Sequence, residues 1–310
     1  MNNAEIILNQ TIIMLILIIT GIICKKTKII SDDGNKELSK LVINVVNPVV
    51  ILMAYQTEYK AFLVKNLLIS FALSLLSYVV FIIIAYILIP SKENRETQIE
   101  RFSAIYSNCG FMGIPLVDAI FGAEGVFYLT AFITVFNLFV WTHGITLISE
   151  EKQLKNIVKI FYSPVIISIA LGIIMFFFQI KIPENPSKAL DFIASLNTPL
   201  AMIVSGVTIA DTNIIKLLKK YRIYYICFLK LILIPIIVTI IFSLFDLNEC
   251  VKLTIIIAAS APSAAMCTLQ CLKYNKNSLY ASEIFAASTI ISVFALPFIV
   301  KINSMLDNFI

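Results

Sequence analysis

Ser107-Asn108-Cys109-Gly110-Phe111-Met112-Gly113-Ile114-Pro115-Leu116 and Ala258-Ala259-Ser260-Ala261-Pro262-Ser263-Ala264-Ala265-Met266 each set a proline inside an apolar run of membrane-spanning length. A proline lacks the N–H and its ring crowds the carbonyl four residues earlier, so Pro115 frees Phe111 and Pro262 frees Ala258. Hydrocarbon cannot re-satisfy those carbonyls, and the two stretches therefore predict short unwound segments that line a cavity at membrane depth. Gly110 and Gly113 add backbone freedom to the first, and Asn108 adds an amide. The second is built of small residues with two hydroxyls, Ser260 and Ser263.

The surrounding chain of 310 residues is 59% AVILMFWYC and 14% charged, with a mean hydropathy of +0.93. Soluble domains carry about 45–50% apolar and about 25% charged residues, so the expected class is an all-α integral membrane protein. Apolar runs between polar interruptions give ten candidate spans, at 5–24, 37–55, 62–89, 99–120, 124–148, 160–180, 188–210, 222–245, 249–272 and 278–301. No Lys or Arg precedes the first run and Lys25, Lys26 and Lys28 follow it, which predicts a retained helix rather than a cleaved signal. One set of alternate loops holds sixteen Lys and Arg, among them Lys28, Lys92, Lys155 and Lys220, and the other holds six. The excess marks the cytoplasmic side and predicts a multi-pass protein of the cell membrane with both termini outside the cytoplasm.

Pro48 and Pro199 extend the pattern. Pro48 to Pro115 is 67 residues and Pro199 to Pro262 is 63, and the matching prolines lie 151 and 147 residues apart. The second and fourth helices of each five-helix half thus carry a proline at corresponding places. Five is odd, so the second half enters the membrane from the opposite side, which predicts two inverted repeats at 1–148 and 160–310 joined by a short cytoplasmic linker at 149–159. Two breaks crossing near the midplane expose helix N-termini, whose free N–H groups and partial positive charge favour an anion such as a carboxylate. Kinks that only shape helix packing are the alternative, and the pairing in both halves argues against it.

At these residues the chain resembles the auxin efflux carrier family, which includes bacterial malate and malonate permease-like members. The resemblance is carried by L-S-K-L-V-I-N-V-V-N-P at 38–48, the Ser107 and Pro262 stretches, L-N-T-P-L-A-M-I-V-S-G-V-T-I-A at 196–210 and A-A-S-T-I-I-S-V-F-A-L-P at 286–297. It implies ten transmembrane helices in two inverted five-helix repeats, a scaffold and a transport domain, and broken helices 4 and 9 that cross at their prolines. It also implies export or exchange of a weak organic acid anion by alternating access. Family site positions carry over onto Asn108, Gly113, Pro115, and Pro262 with its neighbours. Plant members have a long loop between helices 5 and 6; here that connection spans only about Ser149 to Lys159.

Other polar residues extend the candidate list. Asn44 and Asn47, three apart, are expected on one face of helix 2, and Asn197 precedes Pro199; these amides either coordinate substrate or satisfy the freed carbonyls of Asn44 and Ser195. Asp118 is the candidate proton-carrying carboxylate, although its nearness to the outer loop favours a solvated charge. Lys230 either draws an anion inward or snorkels to the cytoplasmic surface beside Arg222, and the second is favoured. Asp191, Asp211 and Glu283 read as caps or solvated charges at span ends.

One histidine, His143, and six cysteines without a C-x-x-C pair argue against a metal centre, and no cofactor is expected. The sequence has no G-x-G-D, H-E-x-x-H or D-D-x-x-D motif of an intramembrane enzyme and no ATP-binding fingerprint. The expected function is a secondary transporter whose partners are a small organic acid anion and the lipid bilayer, without nucleic acid; a homodimer stays open. Proton- or sodium-coupled symport of related crossed-helix form, and a membrane receptor or sensor, are the alternatives.

Overall fold

A computed structural model describes residues 3–91, 96–149, 161–210, 212 and 220–307 of the chain. The predicted linker at 149–159 and Asp211 fall almost wholly outside these residues, as do several of the counted loop lysines. In lipid each backbone polar group must be satisfied by the protein itself, most simply within a helix. Accordingly, every long element described is a helix, and the only β pairing among the described residues is a single isolated bridge.

The helices are α1 (Asn3–Lys26), α2 (Asp32–Ala54), α3 (Ala61–Leu88), α4 (Thr97–Ile105), α5 (Cys109–Ser149) and α6 (Pro164–Phe178). They continue as α7 (Glu184–Ser195), α8 (Asn197–Ala210), α9 (Tyr221–Ser243), α10 (Glu249–Ser260), α11 (Met266–Lys273) and α12 (Ser278–Asp307). Seven stretches are long and apolar enough to cross a membrane: α1, α2, α3, α5, α7 with α8, α9 and α12; α6 is a shorter apolar helix. Within α5 the chain kinks at Gly122, whose φ of 57° and ψ of −147° suit glycine alone, between the fourth and fifth predicted spans.

The prolines are accommodated in three ways. Pro48, Pro115 and Pro235 each follow, by two residues, a five-residue π turn, at Val42–Val46, Cys109–Gly113 and Leu229–Leu233. In each case the residue before the proline donates to the carbonyl five back: Asn47 to Val42, Ile114 to Cys109 and Ile234 to Leu229. The widened turn absorbs the missing N–H without breaking the helix. Pro199 instead sits three residues past an interruption at Leu196, and Pro297 lies inside a continuous α12. The unwound segment predicted around Pro115 is therefore displaced to Tyr106–Asn108, ahead of the π turn, whereas Pro262 lies within its own break at 261–265.

Two contacts fix the packing near the site. α1 and α8 approach backbone to backbone, since a Cβ on Gly21 would fall on the Ile203 carbonyl oxygen and one on Gly206 on that of Ile18. Beside the break after α4, Tyr78 stacks on Phe139 with ring centroids 5.0 Å apart.

Candidate functional site

The break between α4 and α5 and the break between α10 and α11 meet. Ser107 and Ser263 form an antiparallel bridge, in which the Asn108 N–H donates to the Pro262 carbonyl at 2.7 Å and the Ala264 N–H to the Tyr106 carbonyl at 2.9 Å. Each unwound stretch thus satisfies the other's backbone, as a chain at membrane depth must. Side chains reinforce the pairing. Ser263 Oγ donates to the Ser103 carbonyl at 2.9 Å, and the Ser263 N–H donates to Ser288 Oγ of α12 at 3.1 Å. Ser107 Oγ donates to the Ala259 carbonyl at 3.2 Å, beside the C-terminal end of α10. Ser260 stays in its own helix, bonding the Ile256 carbonyl at 2.7 Å, and does not touch the freed Ala258 carbonyl.

Two helices, α5 and α11, start at these breaks, and neither starting residue, Asn108 or Ala265, caps its helix with a side chain. Asn108 is 8% exposed and its Nδ2 has no hydrogen-bond partner. A buried amide donor without an acceptor costs about 1–3 kcal/mol, which a bound acceptor removes. Near it, Asn197 Nδ2 donates to Asn47 Oδ1 at 2.6 Å, leaving Asn197 Oδ1 without a partner. The pair lies against the first turn of α5, for a Cβ on Gly110 would sit 3.4 Å from Asn47 Nδ2. Of the candidate residues, the fold gathers Asn47, Asn108 and Asn197 around α5, with Ser263 and Pro262 across the bridge.

Other candidates fall elsewhere. Asn44 is exposed while Asn47 is buried, because the π turn between them takes more residues per turn and a three-residue spacing no longer stacks. Gly113 has φ −67° and ψ −48°, an ordinary right-handed conformation, so its backbone freedom is not used. Asp118 is exposed on a cavity of about 520 Å³ that Pro115, Asp191, Ser195, Asn197 and Thr198 also line. The cavity reaches the amide pair through Asn197.

Lys230 overturns the snorkelling expectation. It is wholly buried on the π turn of α9, with Nζ donating to Ser107 Oγ at 2.6 Å and to the Ala259 carbonyl at 3.2 Å. Arg222 goes elsewhere, holding the buried Glu100 of α4 through two bonds of 2.8 and 2.6 Å, to which Tyr280 adds a third at 3.0 Å. Glu283 is likewise no solvated cap: it is 3% exposed and paired with Lys220 at 2.5 Å. His143 accepts or donates at Tyr106 and Tyr86 hydroxyls, 2.9 and 3.2 Å away, and no cluster of metal-ligating groups exists among the described residues. Sequence reasoning missed Ser103, whose carbonyl accepts from Ser263, and Ser107 and Ser288, whose hydroxyls act only once the breaks are in register; the adjacency of Ser107 to Asn108 is the available signal.

A family model described as a membrane transport protein matches the chain over residues 6–157 and 153–300. The chain is similar to an uncharacterized transporter of Methanocaldococcus jannaschii, 24% identical over 301 residues that cover 91% of this chain and 94% of the relative. It is also similar to an uncharacterized transporter of Methanothermobacter thermautotrophicus, 23% identical over 303 residues, 92% of this chain and 94% of the relative.

Proposed function

Since the chain belongs to the auxin efflux carrier family of membrane transport proteins, we propose that this multi-pass membrane protein is a secondary transporter that moves small organic acid anions across the cell membrane by alternating access. The observation that carries the reading is the bonded pair of breaks with the unpartnered Asn108 donor at the start of α5. Helix N-termini and an amide N–H without an acceptor suit a carboxylate. Asn197, bonded to Asn47, supplies a further amide at the wall of the cavity.

The same reading takes the chain as ten spans in two inverted five-helix repeats. The kink at Gly122 supports dividing α5 into the end of the fourth span and the whole fifth, and the breaks after α4 and α10 occupy corresponding places in the two halves. Both termini lie outside the cytoplasm, in keeping with the distribution of Lys and Arg. A second reading, in which a proton is carried with the anion, is favoured by one observation: Asp118 opens onto the cavity that Asn197 lines.

The test is a thermal-shift panel of mono- and dicarboxylates on the purified protein, followed by flux in liposomes for each acid that stabilises it. A ligand that binds only the folded state raises its stability by mass action, so weak substrates register at millimolar concentration. Stabilisation and flux by a carboxylate, and not by its neutral amide, is the expected result. A panel in which no carboxylate stabilises or moves overturns the anion reading.

A further inference from the structure

Among the described residues, three charged side chains are at most 3% exposed, and two of them have partners of opposite charge. Glu100 is held by Arg222, and Glu283 by Lys220. Lys230 is the third; it is 0% exposed and has no ion-pair partner among the described residues. An ammonium taken out of water without a counter-charge is costly, and natural proteins keep one where something compensates it. Part of the compensation is visible. The Ala259 carbonyl belongs to the C-terminal turn of α10, the negative end of that helix, and Ser107 Oγ accepts a second bond. Two of the three ammonium hydrogens are thereby used. Neither partner carries a full negative charge, and Ser107 adjoins Asn108, whose buried Nδ2 is the unpartnered donor of the site.

Resting on the anion-transport reading above, we infer that Lys230 is the counter-charge of the transport site. Its ammonium, seated against the paired breaks, balances the carboxylate bound at Asn108. A site loaded with a monocarboxylate is then neutral, and the empty site carries the positive charge. Lys230 acts through Ser107 and the α10 terminus, as a positioning and neutralising residue behind the groups that touch the acid. A neutral loaded site also lowers the cost of moving a charged solute past hydrocarbon.

The full chain, purified and reconstituted, is tested with acetate, benzoate, malonate and malate, each against its neutral amide at matched ionic strength. At least one acid is expected to raise the unfolding midpoint of the wild type. Lys230→Met is expected to bind that acid at least about tenfold more weakly, while Lys230→Arg keeps most of the affinity. Exchange of a monocarboxylate in liposomes clamped with potassium and valinomycin adds a readout that a mere packing role would not move. Wild-type exchange should ignore voltage, because the loaded site is neutral, and exchange by Lys230→Met should depend on it. Undiminished carboxylate binding by Lys230→Met overturns the counter-charge and leaves the transport reading standing. Failure of all four acids to stabilise the wild type overturns both. If Lys230→Met does not fold, voltage-sensitive monocarboxylate exchange by the wild type is by itself enough to overturn the inference.

Discussion

Asn108 holds a donor in a buried place and gives it nothing to bond, and Nδ2 therefore separates a binding role from a structural one. Asn108→Ala removes no protein hydrogen bond made by that side chain's Nδ2. It should leave folding and insertion intact while weakening acid binding about 10- to 150-fold, the worth of one hydrogen bond to a charged group. Unchanged affinity and rate in reconstituted Asn108→Ala would remove the residue from the site. The opposite behaviour is expected at Arg222. Its truncation to Ala strands the Glu100 carboxylate, which is 2% exposed, and should cost about 3 kcal/mol by chemical denaturation; Glu100→Gln in the same background should restore most of that loss. These residues differ in how far the sequence discloses them. Asn108 is legible because an amide stands beside a glycine- and proline-containing stretch in an apolar run. Lys230 is not, because its depth along a helix fits a snorkelling side chain equally well, and only the position of Ser107 reveals where its ammonium goes.

Among the elements, a proline in an apolar run announces that the hydrogen-bond ladder must change but leaves open how. Where another break offers backbone groups, as Pro262 and Tyr106 do for Asn108 and Ala264, the chain unwinds and pairs. Before Pro48 and Pro235 the helix widens by a π turn. The choice is made by the neighbouring element, which is why the sequence locates the break at Pro262 but sets the other at Pro115 rather than at Tyr106–Asn108. The same π turns rotate later side chains, and that rotation separates Asn44 from Asn47. Helix packing sets a further test. Gly206→Ala would drive a Cβ into the Ile18 carbonyl of α1, backbone that cannot swing aside, and should destabilise the protein by about 1–3 kcal/mol. Gly113→Ala, whose Cβ would meet only the Cys109 Cβ at 3.4 Å, should change stability far less. Unfolding midpoints of the two variants in one detergent make the comparison, and equal losses would mean that α1 and α8 can part without cost.

For the molecule as a whole, orientation and driving force each have a direct assay. On the proposed orientation, with both termini outside, single cysteines on a cysteine-free background should be labelled by an impermeant reagent in intact cells at position 185 and not at 155. The reverse pattern would invert the topology drawn from the Lys and Arg count. Driving force turns on Asp118. If no proton is carried, net export returns the empty site with its positive Lys230, so the membrane potential supplies about 2.3 kcal/mol per charge per 100 mV and an inside-negative potential drives export, while exchange between loaded sites ignores voltage. If Asp118 carries a proton, flux follows an imposed pH gradient and is lost in Asp118→Asn. The structure sets Asp118 on the exposed wall of the cavity together with Asp191, where two carboxylates repel an entering anion and neither is in contact with Lys230. Their repulsion makes them a poor resting place for the substrate. Liposomes clamped with potassium and valinomycin at equal pH, with acid on one side only, should therefore show net efflux that rises with voltage and survives Asp118→Asn. Net efflux that ignores voltage, tracks pH and disappears in Asp118→Asn would transfer the driving force to the proton.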